Sequence, residues 1–129
     1  MINAVHTLIY STDPVATRRF FKKVLRWPYV TEGSTDEPEE WLIFRTGPSE
    51  IGVHPTRGPG GETWGPEGQH QIALMCDDLP STMKELESRG AHFDGKPEEM
   101  GFGVGIDLPV AAAGKILLYE ARHPVAFDL

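Results

Sequence analysis

A chain of 129 residues with 40% hydrophobic content has room for one ordinary domain with a real core, and none for a second. Its 12 basic and 19 acidic side chains give a net charge of -7, which disfavours nucleic acid as a partner and suits a neutral or cationic small molecule. No apolar run approaches the roughly 20 residues of a membrane span, and Met1-Ile2-Asn3 shows no basic, apolar leader, so a soluble cytoplasmic protein with no membrane partner is expected.

In chain order, Ala4 to Ser11 reads as a strand, and Thr12-Asp13-Pro14 then supplies a helix cap followed by proline at the first helical position. The spacing of Val15, Phe20, Phe21, Val24 and Leu25, with Arg18, Arg19, Lys22 and Lys23 between them, predicts a helix over 14–25 that Pro28 ends. Short apolar segments follow near Tyr29 to Thr31, Trp41 to Arg45 and Ile51 to His54, punctuated as an antiparallel meander. Between the first two, Asp36-Glu37-Pro38-Glu39-Glu40 reads as a solvated acidic loop, with attraction of a cationic ligand as the alternative. Residues 58–68, rich in glycine and proline, form a hinge.

The script then repeats. Gln71 to Asp77 is a strand, Asp78 a cap, Pro80 to Arg89 a helix stopped by Gly90, and three segments follow near His92 to Phe93, Phe102 to Asp107 and Ile116 to Glu120. The capping residues Asp13 and Asp78 stand 65 residues apart, and the same offset carries His6 onto Gln71. The expected fold is α+β: one domain over 1–129 made of two βαβββ modules, 1–57 and 69–129, whose curved mixed sheets surround a cleft. Cys76 is alone, so it forms no internal disulfide, and its apolar strand marks it as a packed thiol rather than a nucleophile.

This duplicated plan resembles the vicinal oxygen chelate superfamily, the glyoxalase, bleomycin-resistance and extradiol-dioxygenase group. The residues that carry the likeness are His6-Thr-Leu-Ile-Tyr-Ser-Thr-Asp13, Phe20-Phe21-Lys-Lys-Val-Leu-Arg-Trp27, Ile72-Ala-Leu-Met-Cys-Asp-Asp-Leu79 and Leu117-Leu-Tyr-Glu120. The resemblance implies a homodimer and, in metal-dependent members, a cup whose ligands come from the first and last strand of each half. Such a metal polarises a substrate oxygen as a Lewis acid. On that pattern His6 and Gln71 take the strand-start positions, but the last strands offer Gly52 and Leu117 where carboxylates are common; counting from Gly114 instead puts Leu118 there. Members also commonly have glycine where Arg26 stands and an Asp-Pro-Asp-Gly turn where Val110-Ala-Ala-Ala113 stands.

The expectation is therefore no metal cofactor, with a divalent ion on His6, Gln71 and Glu120 as the alternative. A shifted site of His54, His123 and Glu120 requires the tail to fold back across the sheet. If Gly52 and Leu117 face the cup, two-residue alternation brings His54 and Tyr119 to the same face, so the candidate ligand-binding set is His6, His54, Gln71 and Tyr119, walled by Trp41 and Phe102. For His6 the alternative is a partly buried histidine bonded to a neighbouring strand, and for Trp41, Trp64 and Phe102 it is core or loop anchoring. His70, one residue out of step with Gln71, should face away. The ligand expected is a small organic molecule, held or turned over by unassigned acid-base chemistry. Metal-dependent lyase, isomerase or dioxygenase activity is the alternative, and no catalytic residue is assigned.

Overall fold

Two aspartates start the two helices. In a computed structural model of the chain, which describes Met1 and residues 3–129, helix α1 spans Pro14–Phe20 and helix α2 spans Leu79–Ser88. The Asp13 carboxylate accepts the Ala16 N–H at 3.1 Å, and the Asp78 carboxylate accepts the Ser81 N–H at 2.9 Å, each satisfying a backbone donor that the first turn leaves free. Helix α1 does not stop at Phe20. It widens into one π-helical turn, Phe21–Leu25, closed by Arg26 in the left-handed region at φ 56, ψ 36 with its N–H on the Phe21 carbonyl. Phe21 and Val24 of this turn are both buried.

Strands β1 (Tyr29–Thr31) and β2 (Leu42–Phe44) form an antiparallel pair. A second sheet contains β3 (Ala73–Cys76), β4 (Glu98–Met100), β5 (Gly103–Pro109) and β6 (Lys115–Ala121) in the order β3-β6-β5-β4. Strand β3 runs parallel to β6, and the other pairs are antiparallel. The second half therefore has the expected βαβββ order, with a mixed sheet.

The strand expected near His92 to Phe93 lies later, at Glu98–Met100. Phe93 instead packs against the core, and the chain turns at Gly95, φ 89, before pairing begins. In the first half, Ala4 to Ser11 and Ile51 to His54 carry no strand pairing. An extended segment becomes a strand only when its N–H and C=O groups meet a partner ladder, and here the ends of both segments are engaged elsewhere. Ser11 and Thr12 bond to the carbonyl of Ala112, and Glu50 binds the chain terminus. Ile2, in the opening stretch, lies outside the described residues.

Both helical segments cover one face of the four-stranded sheet. Val24 packs in one cluster with Leu79 and Leu86 of α2 and with Ile106, Leu108 and Leu118 of the sheet; Leu79 and Leu108 are the most deeply buried side chains. Phe21 joins a second cluster with Val110 and Ile116, against which Ile9 and Phe44 pack. Polar ties reinforce the join. The Thr17 hydroxyl donates to the Ala111 carbonyl at 2.6 Å, and the Arg89 guanidinium donates to the Val24 carbonyl at 3.1 Å.

The acidic loop is not wholly solvated. Asp36 accepts the Tyr29 hydroxyl at 2.8 Å and pairs with Lys22 at 3.5 Å, and these two partners hold its carboxyl below the usual range. Arg18 reaches the Pro38 carbonyl and lies over the Trp41 ring. Among the described residues no helix is long and apolar enough to cross a membrane.

Candidate small-molecule site

Strand β6 alternates between two environments, as the two-residue period of a strand requires. Ile116, Leu118 and Glu120 face the helices. Ile116 and Leu118 are core residues, and the Glu120 carboxylate accepts the Leu79 N–H at the start of α2 at 3.0 Å. Leu117 and Tyr119 take the other face, where the register sets Ala73 beside Leu117 and Met75 beside Tyr119. Across β5 the neighbours of Tyr119 and Ala121 are Gly105 and Gly103, and beyond Gly103 stands Met100. A Cβ on Gly105 would come within 3.0 Å of the Leu117 side chain and 3.1 Å of the Tyr119 Cβ, so glycine there lets the two larger residues lie against the sheet. The result is a largely apolar floor.

Tyr119 is the polar centre of that floor. The residue is 8% exposed, and its ring is met edge-on by Phe102, with centroids 5.2 Å apart and planes at 89°. Its hydroxyl lies 2.9 Å from Nε2 of His123, while Nδ1 of that ring lies 2.7 Å from the Pro124 carbonyl. A carbonyl only accepts, so Nδ1 carries a proton, and in the neutral ring Nε2 then accepts from the phenol. One Glu50 carboxylate oxygen stands 4.0 Å from the same Nε2, and the other accepts the Ala126 and Phe127 N–H groups at 2.7 and 3.3 Å. Burial, and then the Glu50 charge, push the Tyr119 phenol above its ordinary value.

The predicted set is only partly assembled. Phe102 and Tyr119 are in contact. Gln71 is exposed two residues before Ala73, on whose face strand alternation would put it, and His70 is also exposed. His6 is exposed on the unpaired leading segment. His54 is exposed too, with Nδ1 2.8 Å from the Pro55 carbonyl and its ring edge-on to Trp64. Trp41 lies beneath Arg18 instead of joining Tyr119. The sets His6, Gln71, Glu120 and His54, His123, Glu120 do not form, because Glu120 faces α2 and is bonded there. The tail does fold back, but it brings His123 to Tyr119 and Glu50. Sequence reasoning missed Glu50; the only cue was Pro124, which turns the chain after β6.

Residues 3–113 match the family described as the Glyoxalase/Bleomycin resistance protein/Dioxygenase superfamily. The chain belongs to this superfamily. Its fold is similar to that of TnmS3, an antibiotic binding protein from Streptomyces sp. CB03234, with TM-score 0.60, 16% identity and coverage of 93% of this chain and 97% of that one. It is also similar to a superfamily member from Sphaerobacter thermophilus DSM 20745, with TM-score 0.55, 22% identity and coverage of 93% and 98%. Lactoylglutathione lyase from Agrobacterium tumefaciens gives TM-score 0.53, 14% identity and coverage of 93% and 95%. No curated protein matches the chain.

For a metal of the kind this superfamily uses, the residues present do not fit. Leu117 has no donor and packs over Gly105, Gly52 has no side chain, and His6 and Gln71 stand on unpaired, exposed backbone. Among the described residues no three His, Cys, Asp or Glu side chains converge. Two open hollows lie elsewhere. One of about 540 Å³ is lined by Lys22, Lys23, Arg26, Trp27, Pro28 and Tyr29, and one of about 370 Å³ extends from Pro28 to Val30 and from Ile43 to Arg45.

Proposed function

We propose that this superfamily member binds a small organic molecule on the sheet face that carries Leu117 and Tyr119, without the family metal, and either sequesters it or acts on it by acid-base chemistry. The observation that carries the reading is the composition of that face. Met75, Met100, Leu117 and Phe102 give an apolar surface, Gly105 lets Leu117 and Tyr119 lie flat against the sheet, and Tyr119 supplies a polar group to orient a ligand. The structural likeness to an antibiotic binding protein supports a holding role.

The unpaired segments 4–11 and 51–54 leave Val5, Leu8, Tyr10, Ile51 and Val53 exposed, which supports a homodimer in which a second copy covers them. Light scattering should then give twice the 14.3 kDa chain mass; a monomer at micromolar concentration rejects the dimer.

Elemental analysis of protein purified without chelator, run beside a thermal-shift screen of aromatic compounds, tests the main reading. A raised melting temperature with no stoichiometric metal is the expected result, since binding to the native state adds apparent stability. Stoichiometric divalent metal, with activity abolished by chelator, replaces it with a metal-dependent lyase, isomerase or dioxygenase.

A further inference from the structure

We infer that Tyr119, His123 and Glu50 form a proton relay that takes a proton from a weakly acidic phenol or enol bound on the floor beside Tyr119. The inference rests on the small-molecule reading of that face and adds the class of ligand it takes.

Three geometric facts carry it. The His123 tautomer is fixed by the Pro124 carbonyl, so the nitrogen that faces Tyr119 at 2.9 Å is the basic one. Glu50 stands 4.0 Å from that nitrogen and its other oxygen is occupied by two backbone N–H groups, so its charge is held where an imidazolium would form. Phe102, the residue edge-on to Tyr119, is itself 42% exposed, so an aromatic ring that a planar ligand can stack on stands beside the phenol.

The transfer balances as follows. The ligand O–H proton passes to the Tyr119 oxygen as the Tyr119 proton passes to His123 Nε2, leaving a ligand oxyanion, a neutral phenol that now donates to it, and an imidazolium beside Glu50. No oxidant or second substrate is needed. Holding the tail to the sheet explains the hydrogen bonds alone. It does not explain a donor-acceptor polarity that runs from the ligand face to a base backed by a carboxylate.

The test uses para-nitrophenol, whose phenolate absorbs at longer wavelength than its phenol, at a pH just below the probe's own pKa, where the free probe is mostly phenol. Bound to the wild-type protein, the probe should appear as phenolate. His123→Gln and Tyr119→Phe should each lower the bound phenolate fraction about tenfold, the equivalent of one unit of proton affinity, while Glu50→Gln lowers it less and His70→Gln leaves it unchanged. Retained binding with a phenol spectrum overturns the relay and leaves the small-molecule reading standing. No saturable binding to wild type overturns both. Independently of any ligand or variant, NMR shifts of the His123 ring nitrogens should show a proton on Nδ1, and a proton on Nε2 overturns the relay.

Discussion

The Glu120 carboxylate accepts the backbone N–H of Leu79 at 3.0 Å, tying the last strand of the sheet to the first turn of α2. The carboxylate that a metal-centred reading reserves for a ligand is thus spent on a helix terminus, a place where an acid is favoured by the helix dipole. Glu120→Ala should cost about 1 to 2 kcal/mol, measured as a fall in urea midpoint, because it leaves a partly buried N–H without its partner. Binding on the opposite face should be unaffected; a loss of ligand or metal binding with unchanged stability would refute the assignment.

Leu118 and Leu117 are sequence neighbours with different fates. Leu118 is 3% exposed among Val24, Leu79 and Leu108, so Leu118→Ala should open a cavity and cost about 2 to 5 kcal/mol. Leu117→Ala on the open face should cost about 1 kcal/mol or less. Denaturant titration of both variants checks the face assignment, and equal losses would contradict it.

Arg26 and Ala112 occupy left-handed backbone, at φ 56 and φ 60, without being glycine. Arg26→Gly and Ala112→Gly should each raise the unfolding free energy by about 0.5 to 1 kcal/mol, since the relief of the side-chain clash exceeds the added freedom of the unfolded chain. The readout is a higher midpoint at unchanged slope. Destabilisation by either change would mean that the side chain makes a contact worth more than the strain.

Asp78 carries a pH prediction. Its carboxyl is held below the ordinary range by the Ser81 N–H and then the Ser81 hydroxyl. A depressed acid stabilises the folded state above its unfolded value of about 4, and that contribution disappears as pH falls through the folded value. The gap in urea midpoint between wild type and Asp78→Asn should therefore be open at neutral pH and close as pH falls below the folded value. A gap that persists in acid would show that the cap does not depend on charge.

Cys76 should react slowly with a thiol reagent in the native protein and quickly in denaturant. Burial beneath α2 pushes its thiol up, against a smaller opposing effect of the Thr82 hydroxyl. Equal rates in the two states would reveal an accessible thiolate.

The parts of this structure that could be read from sequence are those set by neighbours a few residues away. Asp13-Pro14 and Asp78-Leu-Pro80 announce their helices because a cap and a fixed proline φ are local, and the alternation of β6 follows from strand geometry alone. The pairing of Ala4 to Ser11 was not readable, because it depends on whether a distant edge is free, and Ser11 and Thr12 are drawn to the Ala112 carbonyl instead. The π-helical turn at Phe21 has the same spacing of apolar residues as an ordinary helix end, so nothing in the pattern marks it. Tyr119 was placed by period, whereas its partners His123 and Glu50 meet only because the chain reverses after Pro124.

Helix α1 packs on β5 and β6, strands made from residues that follow it by some 90 positions. A nascent chain that has exposed only its first half can set Phe21 against Phe44 of β2, but Val24 finds its neighbours in Ile106, Leu108 and Leu118, which come later. The Val24 side of the amino-terminal half therefore stays uncovered until the carboxy-terminal half, whose βαβββ order is complete in itself, supplies the surface. Apolar surface left uncovered during such an interval is what chaperones bind and what promotes aggregation.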